Sequence, residues 1–216
     1  AFVGFKTWVV GEILRAADVN TYLAKQVIAV VTSGTRPPSP VEGQMIYETD
    51  TASFVAYTGS HWEVFSYHGD EQTYTPEWTA ATTNPSIGNG TLDGRYRRLP
   101  GRMVSLRIQV IMGSTTNFGD GIYELGLPPG LPAEAGHRWL GVTHLQTAAP
   151  TTDLFQGIAL ISGDSSGARI NRIRYYSGGT GGELFNWSST HNHIGGDGDL
   201  LTVQLLYETA TLGSTE

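Results

Sequence analysis

The chain has 216 residues, a formal net charge of −7, no cysteine and only 15% charged residues. Its acidic balance argues against a nucleic-acid partner, because binding a phosphate backbone depends on clustered lysine and arginine. The lack of cysteine excludes disulfides and structural thiolate metal sites, and no stretch approaches the roughly 18 apolar residues of a membrane span. The 28 glycines, with many threonines and serines, are typical of short strands joined by tight turns. Composition therefore predicts a β-rich globular protein without membrane insertion.

An amphipathic helix is predicted near the N-terminus. Asp18 can cap it, because a short carboxylate accepts hydrogen bonds from the first free backbone N–H groups of a helix. Apolar residues then recur at three- and four-residue spacing as far as Val30 or Val31. An isolated helix of about three turns is marginal in water, so we expect its apolar stripe to be buried against another element or chain. The predicted assembly interface consists of Trp8, Val19, Tyr22, Leu23 and Val27.

A proline-rich spacer and three short strands follow the helix. Three prolines within 36–40 force extended backbone there. The strands are predicted at 45–48, 54–57 and 61–65, with turns between them. Such a small meander needs a packing partner. The sequence thus divides into an anchoring segment at 1–35 and a spacer with a β-meander at 36–66.

Two motifs in this region carry a family resemblance. The first is Trp-x-x-Gly-Glu-x-Leu-x-Ala-x-Asp-x-Asn, from Trp8 to Asn20, and the second joins Pro40–Tyr47 to Tyr57–Trp62. Together they resemble the N-terminal region of minor tail and fibre proteins of tailed bacteriophages. In that family the second motif is a short β-meander between an assembly anchor and a distal domain. The resemblance implies that the N-terminal segment docks to other phage structural proteins.

Residues 66–72 form a polar junction, and β signals repeat beyond it. The strongest strand is predicted at 103–112, where Val104, Leu106, Ile108 and Val110 alternate with polar residues and indicate one buried face. Further strands are predicted at 96–99, 122–125, 138–143, 155–161, 168–176 and 200–207. With turns rich in glycine and proline and no second helical pattern, 70–212 fits an antiparallel sandwich or jelly roll.

This C-terminal region also resembles the distal domains of phage tail and fibre proteins, which often form trimeric jelly rolls akin to tumour-necrosis-factor and complement globular heads. The expected fold class is therefore mainly β: a short N-terminal helix and small β-meander, then an antiparallel jelly-roll-like β-sandwich in a homotrimer. Two arginine groups, at 95–98 and 169–174, alternate within predicted strands. This pattern favours a solvated strand face or ion pairs over an anion site.

One motif is typical of catalysis and one cluster of metal binding. Gly163–Gly167 matches the Gly-x-Ser-x-Gly nucleophile elbow around Ser165, but a strand pattern rather than a helix follows it, which favours a hairpin turn. His191 and His193 point the same way on extended backbone, near Asp197 and Asp199, and a three-fold axis would multiply them into a metal site. The alternative is a polar, glycine-rich loop that binds no metal. No cofactor is expected.

The glycine-rich loop after Tyr176 is a candidate contact with a host cell-surface glycan. Its candidate residues are Tyr176, Asn186 and Trp187, because aromatic rings in adaptable loops offer stacking faces to sugars. A purely structural loop is the equally weighted alternative. Trp78 and Trp139 stand inside predicted strands and are expected in the core.

The leading functional hypothesis is a structural virion protein, assembled in the bacterial cytoplasm, that displays its β domain outward and contacts the host surface. A capsid head fibre or decoration protein is the related alternative. An alternative of another class is a polysaccharide-active enzyme or a free carbohydrate-binding module, although the chain lacks the repeats of 20 to 50 residues typical of depolymerase β-helices.

Overall fold

The structure is a computed structural model that describes residues 9–13, 15–18, 28–67, 71–148, 154–162, 167–176, 184–191 and 194–210. The chain forms two compact units, Ala1–Gly69 (unit 1) and Asp70–Glu216 (unit 2). The boundary lies inside the polar junction predicted at 66–72. Both units are built mainly of β-strands, so the predicted mainly β fold class with a short N-terminal helix is confirmed.

Unit 1 is a four-stranded sheet in the order β1-β2-β3-β4. Strand β1 runs parallel to β2, whereas the other pairs are antiparallel. Ile46 and Val55 oppose each other across β2 and β3 and are fully buried. The elements are a helical turn α1 at Ala16–Asp18, then β1 at Ala29–Val31, β2 at Met45–Glu48, β3 at Ser53–Tyr57 and β4 at Trp62–Tyr67, with a 3-10 turn at Ser33–Thr35 after β1.

The predicted extent of the N-terminal helix is wrong at both ends. Ala29–Val31 is a strand whose Ala29 pairs with Ile46, because two consecutive valines favour extended backbone once a neighbouring strand offers hydrogen bonds. Asp18 lies within the helical turn, where its N–H donates to the Arg15 carbonyl at 3.0 Å, rather than before its start. Strand β1, the first of the four-stranded sheet of unit 1, therefore comes from the segment 1–35 that the sequence assigns to the anchor. The predicted interface residues Trp8, Val19, Tyr22, Leu23 and Val27 lie outside the described residues.

Two turns of unit 1 come from the second motif, and a buried ion pair lies next to it in sequence. Gly43 and Gly59 adopt φ angles of +82° and +96°, which side chains with a Cβ rarely tolerate. The carboxylate of Glu48 is 1% exposed and lies 2.5 Å from Nε of Arg36, while Thr51 donates to its second oxygen at 2.9 Å. The ion pair therefore ties the proline-rich spacer to β2.

Unit 2 contains an eight-stranded sheet and a three-stranded sheet, whose neighbouring strands pair antiparallel. The strand orders are β14-β13-β11-β10-β15-β8-β7-β5 in the large sheet and β12-β9-β6 in the small one. The strands are β5 (Gln72–Tyr74), β6 (Trp78–Ala80), β7 (Thr91–Leu99), β8 (Met103–Ile111), β9 (Tyr123–Gly126), β10 (Trp139–Gln146), β11 (Leu154–Ile161), β12 (Arg169–Ile170), β13 (Arg172–Tyr176), β14 (Leu184–Asn186) and β15 (Leu200–Glu208).

One hydrophobic core lies between the two sheets. The large sheet contributes the alternating residues of β8, Val104 to Val110, as the sequence predicts, and Leu201 to Tyr207 of β15. The small sheet contributes Trp78, Leu125 and Ile170. The side of the large sheet that faces this core is called the inner face below, and the opposite side is called the outer face.

Candidate interaction surface

The outer face carries an apolar patch at its centre. In β10, Leu140 and Val142 point outward while Thr143 and Leu145 are buried, because side chains alternate along a strand. On the neighbouring strand β11, Leu160 pairs with Leu140 and Ile158 pairs with Val142. The apolar patch consists of Leu140, Val142, Ile158, Leu160 and, on β15, Leu206.

The outer face collects the exposed apolar side chains of unit 2. Leu140 is 64% exposed, Val142 is 61% exposed and Leu206 is 49% exposed. Leu154 and Tyr176, which are 61% and 51% exposed, lie on the same face, and Gln156 separates Leu154 from Ile158 of the patch along β11. Among the described residues, these five are all the exposed large hydrophobic side chains of unit 2. Isolated exposed hydrophobics are normal, but a contiguous set on one face marks an interaction surface.

The first flank of the patch, on β7, β8 and the residue before β5, mixes arginines with carboxylates. Nε of Arg95 lies 2.8 Å from Asp93, and this hydrogen bond raises the pKa of Arg95 above its ordinary value. Glu71 lies 3.5 Å from Arg95 and 3.7 Å from Arg107. A groove of about 650 Å³ runs between this flank and the patch, lined by Arg97, Gln204 and Leu206 among others.

The second flank, on β13, carries Arg172 and Arg174. Arg174 donates from Nε to the side-chain oxygen of Asn186 at 2.9 Å, and Arg172 donates to the carbonyl of Asn171 at 2.7 Å. Within the described part of the chain, neither guanidinium has a carboxylate within ion-pair distance. The second flank therefore presents uncompensated positive charge.

The three predicted glycan-contact residues have different surroundings. Trp187 is fully buried and stacks on Trp78 with ring centroids 5.5 Å apart, so the prediction that it contacts a ligand at the surface is wrong. It follows β14 in sequence, and its indole fills the core beside Tyr123, whose pKa burial raises to about 12. Tyr176 is half-exposed on the outer face, and Asn186 on β14 pairs with Arg174 and accepts its hydrogen bond.

The predicted metal residues serve other roles where the structure describes them. Asp199 is 6% exposed and accepts hydrogen bonds from the backbone N–H groups of Ala148 and Gly196 at 2.8 and 2.7 Å, which fixes a loop. The His191 carbonyl accepts a hydrogen bond from Tyr175, whose pKa burial raises to about 12. His193 lies outside the described residues. Over the described ranges, no three histidine, aspartate or glutamate side chains cluster as metal ligands would.

The Gly-x-Ser-x-Gly motif connects strands. Ser165 lies outside the described residues, but β11 precedes it, and β12 and β13 follow it. Gly157 pairs with Tyr175 in the antiparallel β11–β13 ladder. A nucleophile elbow requires a helix after the serine, and strands follow here instead. The first of them, β12, pairs with β9 of the three-stranded sheet, so β11 and its antiparallel neighbour β13 are joined through a strand of the other sheet rather than by a plain hairpin turn.

A second sequence pattern, besides the alternation of apolar and polar residues, indicates the apolar patch. Residues 158–161 of β11 are apolar at four consecutive positions, and Leu205 and Leu206 of β15 are apolar side by side. Strands that are apolar on both faces are typical of sheets covered on both sides. This pattern could have identified the outer face as a second apolar surface.

Comparisons with protein-family models, with curated proteins and with solved structures found no match for this chain. In the part of the chain that the structure describes, no helix has the length and apolar character needed to cross a bilayer.

Proposed function

We propose that this chain is a structural protein of a tailed-bacteriophage virion, a minor tail or fibre protein. Its N-terminal segment docks to other phage structural proteins, and unit 2 forms a jelly-roll-like domain that associates into a homotrimer and faces outward. The chain carries no catalytic role in this proposal. In this proposal the chain is assembled in the bacterial cytoplasm and then forms part of the virion.

The observation that carries the proposal is the apolar patch on the outer face. An exposed patch of aliphatic side chains, flanked by charge, suits assembly with other protein chains better than catalysis. The four-stranded sheet of unit 1 adds support, because the motif that resembles the phage β-meander folds as β2, β3 and β4.

Two related roles remain within this proposal. A head fibre or capsid decoration protein needs the same anchor and outward β domain, and differs only in its docking site. Attachment to a host-surface glycan through Tyr176 and Asn186 is a further prediction, supported by the half-exposed Tyr176 ring.

A polysaccharide-active enzyme or a free carbohydrate-binding module is the competing class. Hydrolysis of a glycosidic bond by paired carboxylates needs two acidic side chains facing one cleft. On the first flank Asp93 and Glu71 instead contact Arg95, an arrangement that favours a structural role.

Immunogold labelling of purified phage particles tests the proposal. Antibodies raised against the recombinant chain should label the tail in particles from a lysate of the source strain. Labelling of the head would assign the head-fibre role, and a lack of label on particles that contain other tail proteins would overturn the proposal. Loss of capsule polymer on incubation with the chain would favour the enzyme instead.

A further inference from the structure

We propose that a carboxylate-bearing oligosaccharide binds across the outer face of the eight-stranded sheet, along a line of polar side chains that ends at Tyr176. The inference rests on the host-glycan attachment in the proposed function and deepens it, but it does not depend on the virion location.

The strand register aligns one polar side chain from each of five neighbouring strands. His144 pairs with Gln156 on one side and with Thr202 on the other. Thr202 pairs in turn with Gln109, and the antiparallel β11–β13 register sets Tyr176 beside Gln156. The polar row, as this line is called below, consists of Tyr176 (β13), Gln156 (β11), His144 (β10), Thr202 (β15) and Gln109 (β8).

The polar row lies beside the apolar patch and not within it. His144 follows Val142 by two residues along β10, so it points to the same side of the sheet about 7 Å further along the strand. Assembly through the patch and sugar binding along the row therefore use different levels of the outer face.

A groove of about 500 Å³ runs along the middle of the polar row. It is lined by His144, Gln156 and Thr202 of the row and by Val142 and Gln204 among others. In the described part of the chain, no hydrogen bond joins the five side chains of the row to another protein group. Their donors and acceptors are therefore open to a ligand in the groove.

The chemical character of the row suits a sugar chain. Amide, hydroxyl and imidazole groups can each donate and accept hydrogen bonds, as the hydroxyl groups of a sugar require. The ring of Tyr176 is 51% exposed and adds an apolar face with a polar tip. Four strand spacings of about 4.8 Å make the row about 19 Å long, which exceeds one sugar ring. The row therefore fits an oligosaccharide that crosses the strands.

The second flank adds positive charge at the Tyr176 end of the row. Arg174 lies two residues before Tyr176 on the same face, about 7 Å away along β13. Its Nε donates to the side chain of Asn186 at 2.9 Å, which leaves the two terminal nitrogens for a ligand. A guanidinium group binds a carboxylate through two parallel hydrogen bonds. The sequence pattern favours ion pairs for such arginines, but an acidic sugar is the partner that this fold leaves room for.

The opposite end of the row does not offer the same site. Gln109 pairs with Asp93 on β7, and the carboxylates of Asp93 and Glu71 both contact Arg95. An anionic group there would meet acidic side chains, so we expect the carboxylate of the sugar beside Arg174. A single-stranded nucleic acid fits less well, because Tyr176 is the single exposed aromatic ring among the described residues of unit 2 and bases stack on several such rings.

Binding of the full chain to an array of bacterial polysaccharides, both uronate-containing and neutral, is the first test. Wild type should bind at least one uronate polymer. Chemical reduction of that polymer's carboxylates to primary alcohols should weaken binding by about tenfold or more, because the charge-assisted hydrogen bonds to Arg174 are lost. The reduced polymer keeps its sugar rings and linkages, so the comparison isolates the charge.

Three variants then locate the site. Arg174→Gln should weaken binding to the uronate polymer by about tenfold and leave binding to the reduced polymer nearly unchanged. Gln156→Ala should weaken binding to both polymers by about fivefold, since it removes a neutral hydrogen-bonding group. Arg97→Gln is the matched control, because it removes an exposed arginine from the opposite flank of the same face and should bind as wild type does. Far-UV circular dichroism verifies that each variant is folded.

Three results would overturn the inference: no binding of wild type to any uronate polymer at tens of micromolar, equal losses for Arg174→Gln and Arg97→Gln, or unchanged binding by Gln156→Ala. Tighter binding to a dT oligomer than to any polysaccharide would also overturn it and reassign the row to a single-stranded nucleic acid.

Immunogold labelling separates this inference from the virion role, because it reports location alone. Labelled particles together with a chain that binds no sugar would remove the inference and leave the virion role in place. Sugar binding by a chain that labels no particle would support the polar row and remove the virion role.

Discussion

The two faces of the eight-stranded sheet are made by the same strands, and both are apolar at their centres. On the inner face, Ile108 and Val203 are fully buried against the small sheet. On the outer face, Leu140 and Val142 are more than half exposed. An apolar residue in a strand therefore does not by itself predict burial within the chain, because burial depends on whether another sheet packs on that face.

The largest expected effect contrasts two aromatic residues of the predicted glycan-contact set. Trp187→Ala should lower the free energy of unfolding by about 3–5 kcal/mol, because it removes a buried indole and leaves a cavity. Tyr176→Ala, on the outer face, should change it by about 0.5 kcal/mol or less. Urea denaturation followed by circular dichroism measures both. Equal small losses for the two variants would mean that Trp187 is not part of the core.

A second pair compares the two faces directly. Ile108→Ala should cost about 2–5 kcal/mol, whereas Leu206→Ala should cost about 0.5 kcal/mol in a single chain. Both variants are made in the Val142→Glu background, so that association through the outer face does not contribute. Chemical denaturation gives both values. A loss above 2 kcal/mol for Leu206→Ala would show that the outer face is buried within the chain itself.

The smallest effect concerns a hydroxyl on the inner face. Thr143 is 4% exposed and its Oγ1 has no hydrogen-bond partner among the described residues, so the fold buries an unsatisfied polar atom. Thr143→Val should therefore raise the free energy of unfolding by about 1 kcal/mol. Thr202→Val, on the outer face, should leave it within about 0.5 kcal/mol. Thermal unfolding of both variants makes the comparison, and destabilisation by Thr143→Val would reveal a partner for the hydroxyl.

Much of the strand pattern could be predicted because local alternation and turn residues determine it. The strand predicted at 45–48 matches β2. The strand predicted at 103–112 extends one residue beyond the end of β8, and the strand predicted at 200–207 stops one residue before the end of β15. The three-residue strand β14 was missed, since so few residues show no period. Ala29–Val31 was assigned to a helix, because its partner β2 is distant in sequence and local spacing does not reveal it.

The candidate site was less predictable than the fold. Tyr176 and Trp187 look alike in sequence, as aromatic residues on either side of a glycine-rich loop, but the first is half-exposed and the second is buried. The arginine groups at 95–98 and 169–174 were predicted to lie on a solvated strand face or in ion pairs. Arg169 does pair with Glu77, but the sequence did not reveal that Arg95 and Arg174 lie on the two flanks of one apolar patch. Pairing between β10 and β11 and between β10 and β15 brings those flanks to opposite sides of the patch.

The β-rich class, the positions of most long strands and the alternation that buries one face of β8 follow from the amino-acid sequence alone, because these features depend on neighbouring residues. The strand order, the burial of Trp187 against Trp78 and the placement of the exposed apolar residues of unit 2 on one face become visible only in the folded chain. These features depend on pairing between strands far apart in the chain, and local pattern carries no information about such partners.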